Sequence, residues 1–446
     1  MQKSIQPVSG PVNGRIRPPG SKSITNRALV CAAMAGGTSV LRGSLESDDT
    51  HVMIDSLNRI GIKVEVIDRM ANDLVLEVRG CRGAIPSPDA EMFVGNSGTT
   101  IRFLTAALGI AGGNYTLDGV ARMRERPIGD LVDSMRTAGI RISATSAGGC
   151  PPVLIEGPRF DGGRLRIRGD VSSQYLSGLL MAAPLAGGDV EIGIVGKLIS
   201  RPYVEMTIAV MKSFGVEVEH FFASADEGTL QTEAGGAHSA EMFRISASQS
   251  YVAADYSVEP DASAASYFFA AAAICGGVVT VDGLSRDSLQ GDVGFVDCLA
   301  AAGCKVDSGV DFITITGPAA IAIDTEMSAI SDTAQTLAAV SLFLKGRTTI
   351  TGIGHNRVKE TDRIGNLAIE LRKLGAKVDE FEDGMSIEPN VLRPAEIDTY
   401  DDHRMAMSLS LAGLRIEGVK INDPDCVSKT YPRFFEDLET LTGAGG

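Results

Sequence analysis

"ALVCAAMAGGTSVLRG", residues 28–43, runs from an apolar, alanine-rich stretch of helical character through a glycine pair into alternating residues of strand character. The same order of helix, glycine, strand and glycine returns at 104–119, 179–193, 268–283, 338–352 and 409–423. The glycines that head the strands are Gly37, Gly113, Gly188, Gly277, Gly346 and Gly418, at intervals of 76, 75, 89, 69 and 72 residues. A period that regular marks a repeat architecture. A second, more amphipathic helix is interleaved with the first, as in "VMIDSLNRIGIKVEV" (52–66). It ends at a glycine suited to a left-handed cap (Gly61, Gly139, Gly215, Gly303, Gly375 and Gly443), and five of the six copies continue as alternating strands. The sixth copy has no strand before Gly446, and "KSIQPVSGPVNGRIRP" (3–18) has strand character, so the two ends of the chain are expected to share one repeat. The fold class is α/β. Three repeats make one domain over 21–258, and the other three make a discontinuous domain from 1–20 plus 259–446.

Composition narrows the function classes. A chain of 446 residues is long enough for two or three domains. Hydrophobic residues are 44% of it, yet no run reaches the length of a membrane span, and the first twenty residues lack the order of a secretory signal. The net charge of −15 disfavours a broad surface for nucleic acid or anionic membrane, so any anion site must be local. Seven scattered cysteines without a CxxC pair fit a reducing cytosol, and no His/Cys cluster, HExxH or calcium loop suggests a metal.

The segments before the first-set helices are all polar: "GSKSITNR", "GNSGTTIR", "GDVSSQY", "EPDASAAS", "ISDTAQT" and "TYDDHRM". The first is similar to a phosphate-binding loop in composition, but Ser21 separates Gly20 from Lys22, and the nearest earlier glycine is Gly14. Ser, Thr, Asp and Asn are ordinary helix caps, which explains any one of these starts. Six starts at equivalent repeat positions would converge at one end of each domain, where free backbone N–H groups and helix dipoles favour anions. Arg27, Arg102, Arg126, Arg357, Arg363 and Arg404, with Lys22, Lys359 and Lys429, sit at or near these junctions and suit small, multiply charged anions. Asp332 and Glu360 are the best carboxylates for proton transfer, although the first can simply cap a helix and the second simply pair with Arg363 or Lys359. His403, between Asp402 and Arg404, suits an orienting role.

Taken in order, "PGSKSITNRAL", "GNSGTTIRFL", "RMRERPIGDL", "SSQYLSGLL", "SRPYVEMT", "PDASAASYF", "SDTAQT", "RVKETDRI", "DDHRMAM" and "SKTYP" resemble the 5-enolpyruvylshikimate-3-phosphate synthase family of enolpyruvyl transferases, nearly end to end. The resemblance implies two similar domains of three βαβαββ units in an inside-out α/β barrel, with the active site in the interdomain cleft. It implies transfer of the enolpyruvyl group of phosphoenolpyruvate to the 5-hydroxyl of shikimate 3-phosphate, without metal or organic cofactor, by a cytoplasmic monomer whose partners are these two small molecules. Lys22, Ser23, Arg27, Ser172, Ser173, Gln174, Ser200, Tyr203, Asp332 and Lys359 would hold shikimate 3-phosphate. Lys22, Asn96, Gly98, Arg126, Gln174, Arg363, Arg404 and Lys429 would hold phosphoenolpyruvate. Lys22, Asp332 and Glu360 would be catalytic, with Asp332 taking the hydroxyl proton and Glu360, with Lys22, serving the methylene carbon.

Two positions depart from the family pattern: Phe103 where proline is frequent, and His355 where asparagine is. Phe103 is expected to tilt the helix that presents Gly98 and Thr99, which bears on the glyphosate inhibition that the resemblance implies. His355 is expected to change one substrate hydrogen bond. The related UDP-N-acetylglucosamine enolpyruvyl transferases carry a reactive cysteine five residues before their Arg-Pro pair, a position that is Ala121 here. A catalytically silent anion-binding protein would lack Lys22, Asp332 or Glu360, and all three are present.

Overall fold

The computed structural model describes residues 1–70, 73–223 and 240–443. Two kinds of α-helix alternate along them. The first kind comprises α1 (Lys22–Met34), α3 (Gly98–Ala111), α5 (Ser173–Ala182), α7 (Ala262–Cys275), α9 (Ala334–Ser341) and α11 (His403–Gly413). Alanine-rich and short in side chain, they pack against one another as two groups of three and are buried on all sides; every residue of α7 is buried. The second kind comprises α2 (Asp48–Arg59), α4 (Gly129–Thr137), α6 (Arg201–Ser213), α8 (Phe295–Ala301), α10 (Gly365–Lys373) and α12 (Phe434–Thr442). These bury one face only, as α2 does with Met53 and Leu57. Just past α2, Gly61 takes φ +86°, and a side chain there would also meet the Pro86 ring at 2.9 Å.

Five four-stranded sheets share one strand order. In one of them Asp89–Phe93 runs parallel to Gly113–Asp118, which pairs antiparallel with Cys150–Gly157, which in turn pairs antiparallel with Ile142–Ser146. A first-kind helix, here α3, joins the parallel pair. Each of these sheets stops after four strands because the chain's next strand joins a different sheet. Among the described residues none of these sheets closes on itself; separate small sheets stand outside the inner helices, the inside-out arrangement expected from the resemblance.

Two edge strands are exchanged. Val12–Ile16 precedes α1 but pairs with Gly277–Asp282, whereas Asp255–Ser257 precedes α7 but pairs with Gly36–Leu45. The segments that follow these strands lie side by side: Gly20 bridges to Pro260, Ser21 N–H donates to the Glu259 carbonyl (2.8 Å), and Asp261 N–H donates to the Pro19 carbonyl (2.8 Å). Two apolar cores result. One is built from residues between Ile24 and Val258, the other from Ile5, Val12 and residues between Ala262 and Leu441. We call the bodies around them lobes. In the sixth sheet Gln2–Ser4 pairs antiparallel with Lys420–Asn422, so the chain's first residues stand beside its last repeat. Val12–Ile16 pairs with the strand of the fourth repeat and also packs against α12 of the last one, where a Cβ on Gly14 would meet Leu441 Cδ1 at 2.5 Å.

Candidate active site

Polar helix entrances from both lobes meet at one cavity of about 80 Å³, walled by Lys22, Arg102, Arg126, Ser172, Gln174, Asp332, His355, Lys359, Glu360, Arg363 and Arg404 among others. Capping and convergence both hold at these entrances. Ser21, Ser172, Asp261 and Asp402 cap α1, α5, α7 and α11 through their side chains, while Ser97 and Thr333 make no such bond. Asp332 does not cap α9. Its carboxylate accepts from Lys359 Nζ (2.6 Å) and Arg404 Nη2 (2.9 Å) and lies 3.5 Å from Arg363 Nη1. Glu360 pairs with Arg363 (2.8 Å), Arg126 (3.7 Å) and Lys429 (3.7 Å), leaving Lys359 to Asp332.

The charge balance follows from this crowding. Burial alone would raise the Asp332 carboxyl, but Arg404, Lys359 and Arg363 outweigh it and hold the group well below the usual carboxylate range. For Glu360, burial is likewise outweighed by Arg363, Arg126, Lys429 and Lys22, and the shift is again downward. Both acids are therefore ionised at neutral pH. Burial pushes Arg126 down to about 10, still a cation at neutral pH, and lowers Lys359 despite the opposing pull of Asp332.

Contacts behind the wall hold together several of the residues expected to bind phosphoenolpyruvate. Arg126 Nη1 donates to the Asn96 carbonyl (2.9 Å) and side chain (3.1 Å), and Lys429 Nζ donates to the same carbonyl (2.8 Å) from the other lobe. Gly98 has no room for a side chain: a Cβ would stand 2.5 Å from Arg102 Nη1 and 2.6 Å from Arg126 Nη2. Asp402 receives Arg363 through both oxygens (2.7 and 3.1 Å), and Asp49 lies 3.7 Å from Lys22 and 3.8 Å from Lys429. Sequence reasoning missed Asp49 and Asp402 because acids at helix starts already have an explanation as caps.

Asn96, Gly98 and Lys429 thus adjoin the cavity wall without being part of it, and five other expected residues are also off it. Arg27 is buried and donates to the Ser23 carbonyl (2.8 Å), Thr207 Oγ1 (2.7 Å) and the Tyr203 carbonyl (3.2 Å), with no carboxylate partner among the described residues. Ser200 Oγ donates across to the Ser328 carbonyl (3.0 Å), and the Tyr203 hydroxyl donates to Asp292 (3.0 Å). Ser23 and Ser173 stand beside Lys22 and Ser172, which do line the wall. Arg357 lies outside the cation cluster: it pairs with Asp362 and Glu380.

Three residues singled out in the sequence take the following places. Phe103 is buried in α3, which runs without interruption from Gly98 to Ala111, and its ring carries the Arg27 guanidinium at 5.2 Å. Among the described residues His403 makes no hydrogen bond through either ring nitrogen, so it orients none of them that way. Burial pushes His355 down to about 3, so the ring is neutral on the cavity wall, where Nε2 lies 2.9 Å from Ser331 Oγ.

Two three-sheet lobes with clustered cations and two ionised carboxylates between them define a class of enzymes that act on small polyanions. The chain is 48% identical to a 3-phosphoshikimate 1-carboxyvinyltransferase of Herminiimonas arsenicoxydans over 439 residues, covering 96% of this chain and 95% of the relative. It is 46% identical to the chloroplastic enzyme of that name from Arabidopsis thaliana, covering 98% and 84% respectively. An EPSP synthase structure from Acinetobacter baumannii superposes with a TM-score of 0.76 at 26% identity, covering 100% of this chain and 98% of the other. The profile of the EPSP synthase (3-phosphoshikimate 1-carboxyvinyltransferase) family matches residues 7–438, and the chain belongs to that family. Its reaction is the transfer of an enolpyruvyl group from phosphoenolpyruvate to shikimate 3-phosphate in the shikimate pathway.

Proposed function

We propose that the cavity is where the two substrates meet and that its residues divide the work as follows. Phosphoenolpyruvate lies among Lys22, Asn96, Gly98, Arg126, Gln174, Arg363, Arg404 and Lys429, whose cations match its carboxylate and phosphate. Shikimate 3-phosphate lies among Lys22, Ser23, Arg27, Ser172, Ser173, Gln174, Ser200, Tyr203, Asp332 and Lys359. Asp332 takes the proton of the 5-hydroxyl as its oxygen attacks C2 of phosphoenolpyruvate. Lys22 and Glu360 deliver a proton to the methylene carbon, giving a tetrahedral intermediate. The same pair then removes a methyl proton as the C–O bond to phosphate breaks.

The single observation that carries this reading is the arrangement of Asp332 and Glu360, each ionised and each held by cations that the substrates' anionic groups would engage. Phosphoenolpyruvate drawing Arg126, Arg363, Arg404 and Lys429 to itself weakens their hold on Glu360 and adds negative charge beside it. Both effects raise the Glu360 pKa toward a value at which it can carry the proton.

The same reading takes residues 21–258 as one domain and 1–20 plus 259–446 as the other. A cavity of about 80 Å³ is small against the ~300–1,000 Å³ of ordinary ligand sites, so the lobes part to admit substrate and close again, turning about the paired segments at Gly20 and Pro260. One chain supplies both walls, which supports a monomer. All seven cysteines are free, which supports a reducing, cytoplasmic setting. Among the described residues no helix is long and apolar enough to cross a membrane.

The test is release of inorganic phosphate by purified protein. Release is expected with phosphoenolpyruvate plus shikimate 3-phosphate, and not with either alone or when UDP-N-acetylglucosamine replaces the shikimate substrate. No turnover with the first pair would overturn the reading.

A further inference from the structure

Lys359 and Glu360 lie between the short helical turn Gly354–Val358 and α10, outside any helix or strand. Their side chains are committed to different partners, Lys359 to Asp332 and Glu360 to Arg363, Arg126 and Lys429. Their carbonyls have one donor among the described residues, and it comes from the other lobe. Arg122 Nε donates to the Glu360 carbonyl (3.0 Å) and Arg122 Nη2 to the Lys359 carbonyl (3.1 Å), while Nη1 is steadied by Glu125 (2.9 Å). One planar guanidinium thus grips two consecutive carbonyls, a two-point fit that an ammonium group does not reproduce.

We propose that Arg122 is a positioning residue that fixes Lys359 and Glu360 for reaction only when the lobes are closed. When the lobes part, both hydrogen bonds break, the carbonyls turn to water, and this irregular segment loses its cross-cleft tie. When the lobes shut, the bonds re-form, and the acid and the lysine are held in place as water is excluded. Closure and assembly of the reactive groups then become one event. The inference rests on the roles given above to Lys359 and Glu360.

The test compares steady-state turnover in two backgrounds. Arg122→Ala is expected to lower kcat about 10- to 100-fold, the scale of two lost hydrogen bonds to a catalytic segment, with little change in melting temperature because the side chain is partly in solvent. Arg122→Lys, which reaches one carbonyl at a time, is expected to lie between Ala and Arg, and it carries the test if the alanine variant does not fold. In a Glu360→Gln background the same Arg122→Ala change is expected to cost several-fold less than in the wild type, because one of the two groups it positions is already disabled and only Lys359 remains to be placed. Full turnover by Arg122→Ala, or an equal fold-loss in both backgrounds, would overturn the proposal. Undiminished turnover by Glu360→Gln alone would instead overturn the role of Glu360.

Discussion

His355 is largely buried on the cavity wall, and its burial has a cost that depends on pH. The neutral ring is favoured in the fold, with its pKa lowered from 6.5 to about 3, so the unfolded chain binds a proton there that the folded chain does not. The contribution is fully present above about 6.5 and is lost as pH falls toward 3, since stability declines wherever the unfolded state holds more protons. His403, buried and shifted in the same direction, adds to the slope. His355→Asn is therefore expected to flatten the fall in unfolding free energy between pH 6.5 and 5 by about 1–2 kcal/mol. Urea midpoints at the two pH values measure it, and an unchanged slope would show that the ring is solvated. Asp332 and Glu360, with depressed pKa values, contribute above the ordinary carboxyl range and lose that contribution only at lower pH, so they leave this window clear.

α3 adjoins both of the proposed substrate groups and tolerates little change. Its first residue, Gly98, lies against Arg126, while Phe103, just over a turn on, carries the Arg27 guanidinium. α5 approaches it closely at Gly178, where a Cβ would meet the Arg102 carbonyl at 3.1 Å. Because α3 is held on that side, a side chain at position 98 has to displace the arginines rather than the helix. Gly98→Ala is expected to raise the KM for phosphoenolpyruvate about 10-fold while leaving that for shikimate 3-phosphate within about twofold, the ~1–2 kcal/mol expected for disturbing one charged contact. Steady-state kinetics with each substrate varied in turn separates the two. An equal rise in both would mean that α3 itself had moved.

Across the whole molecule, the crossing between lobes is the point most sensitive to added bulk. A Cβ on Gly20 would stand 1.8 Å from the Gly43 carbonyl oxygen, a backbone atom of the adjoining sheet. Neither side can yield without disturbing the exchange of strands that links the two cores. Gly20→Ala is expected to lower the melting temperature by several degrees, and to do so more than Gly10→Ala, where nothing lies within 4 Å. Equal melting temperatures for the two variants would show that the crossing is slack.

The repeat, the two kinds of helix and the polar entrances were legible in the amino-acid sequence because each is a local pattern, written in periodicity and in glycines that only certain backbone conformations accept. Lys22, Asp332 and Glu360 stood out for the same reason, as charges beside helix starts. The Glu360–Arg363 pair was legible as a near neighbour, but most of the facing charges were not, because they come together from distant parts of the chain. Only the tertiary structure brings Arg126 and Lys429 to Glu360 and Arg404 to Asp332, and sends Arg357 away to Asp362 and Glu380. It alone lays Arg122 on the carbonyls of Lys359 and Glu360 and puts Asp49 between two lysines from different lobes. Local composition determines which elements form and where they begin; the balance of charge in a shared, water-poor cleft is decided only when the lobes meet.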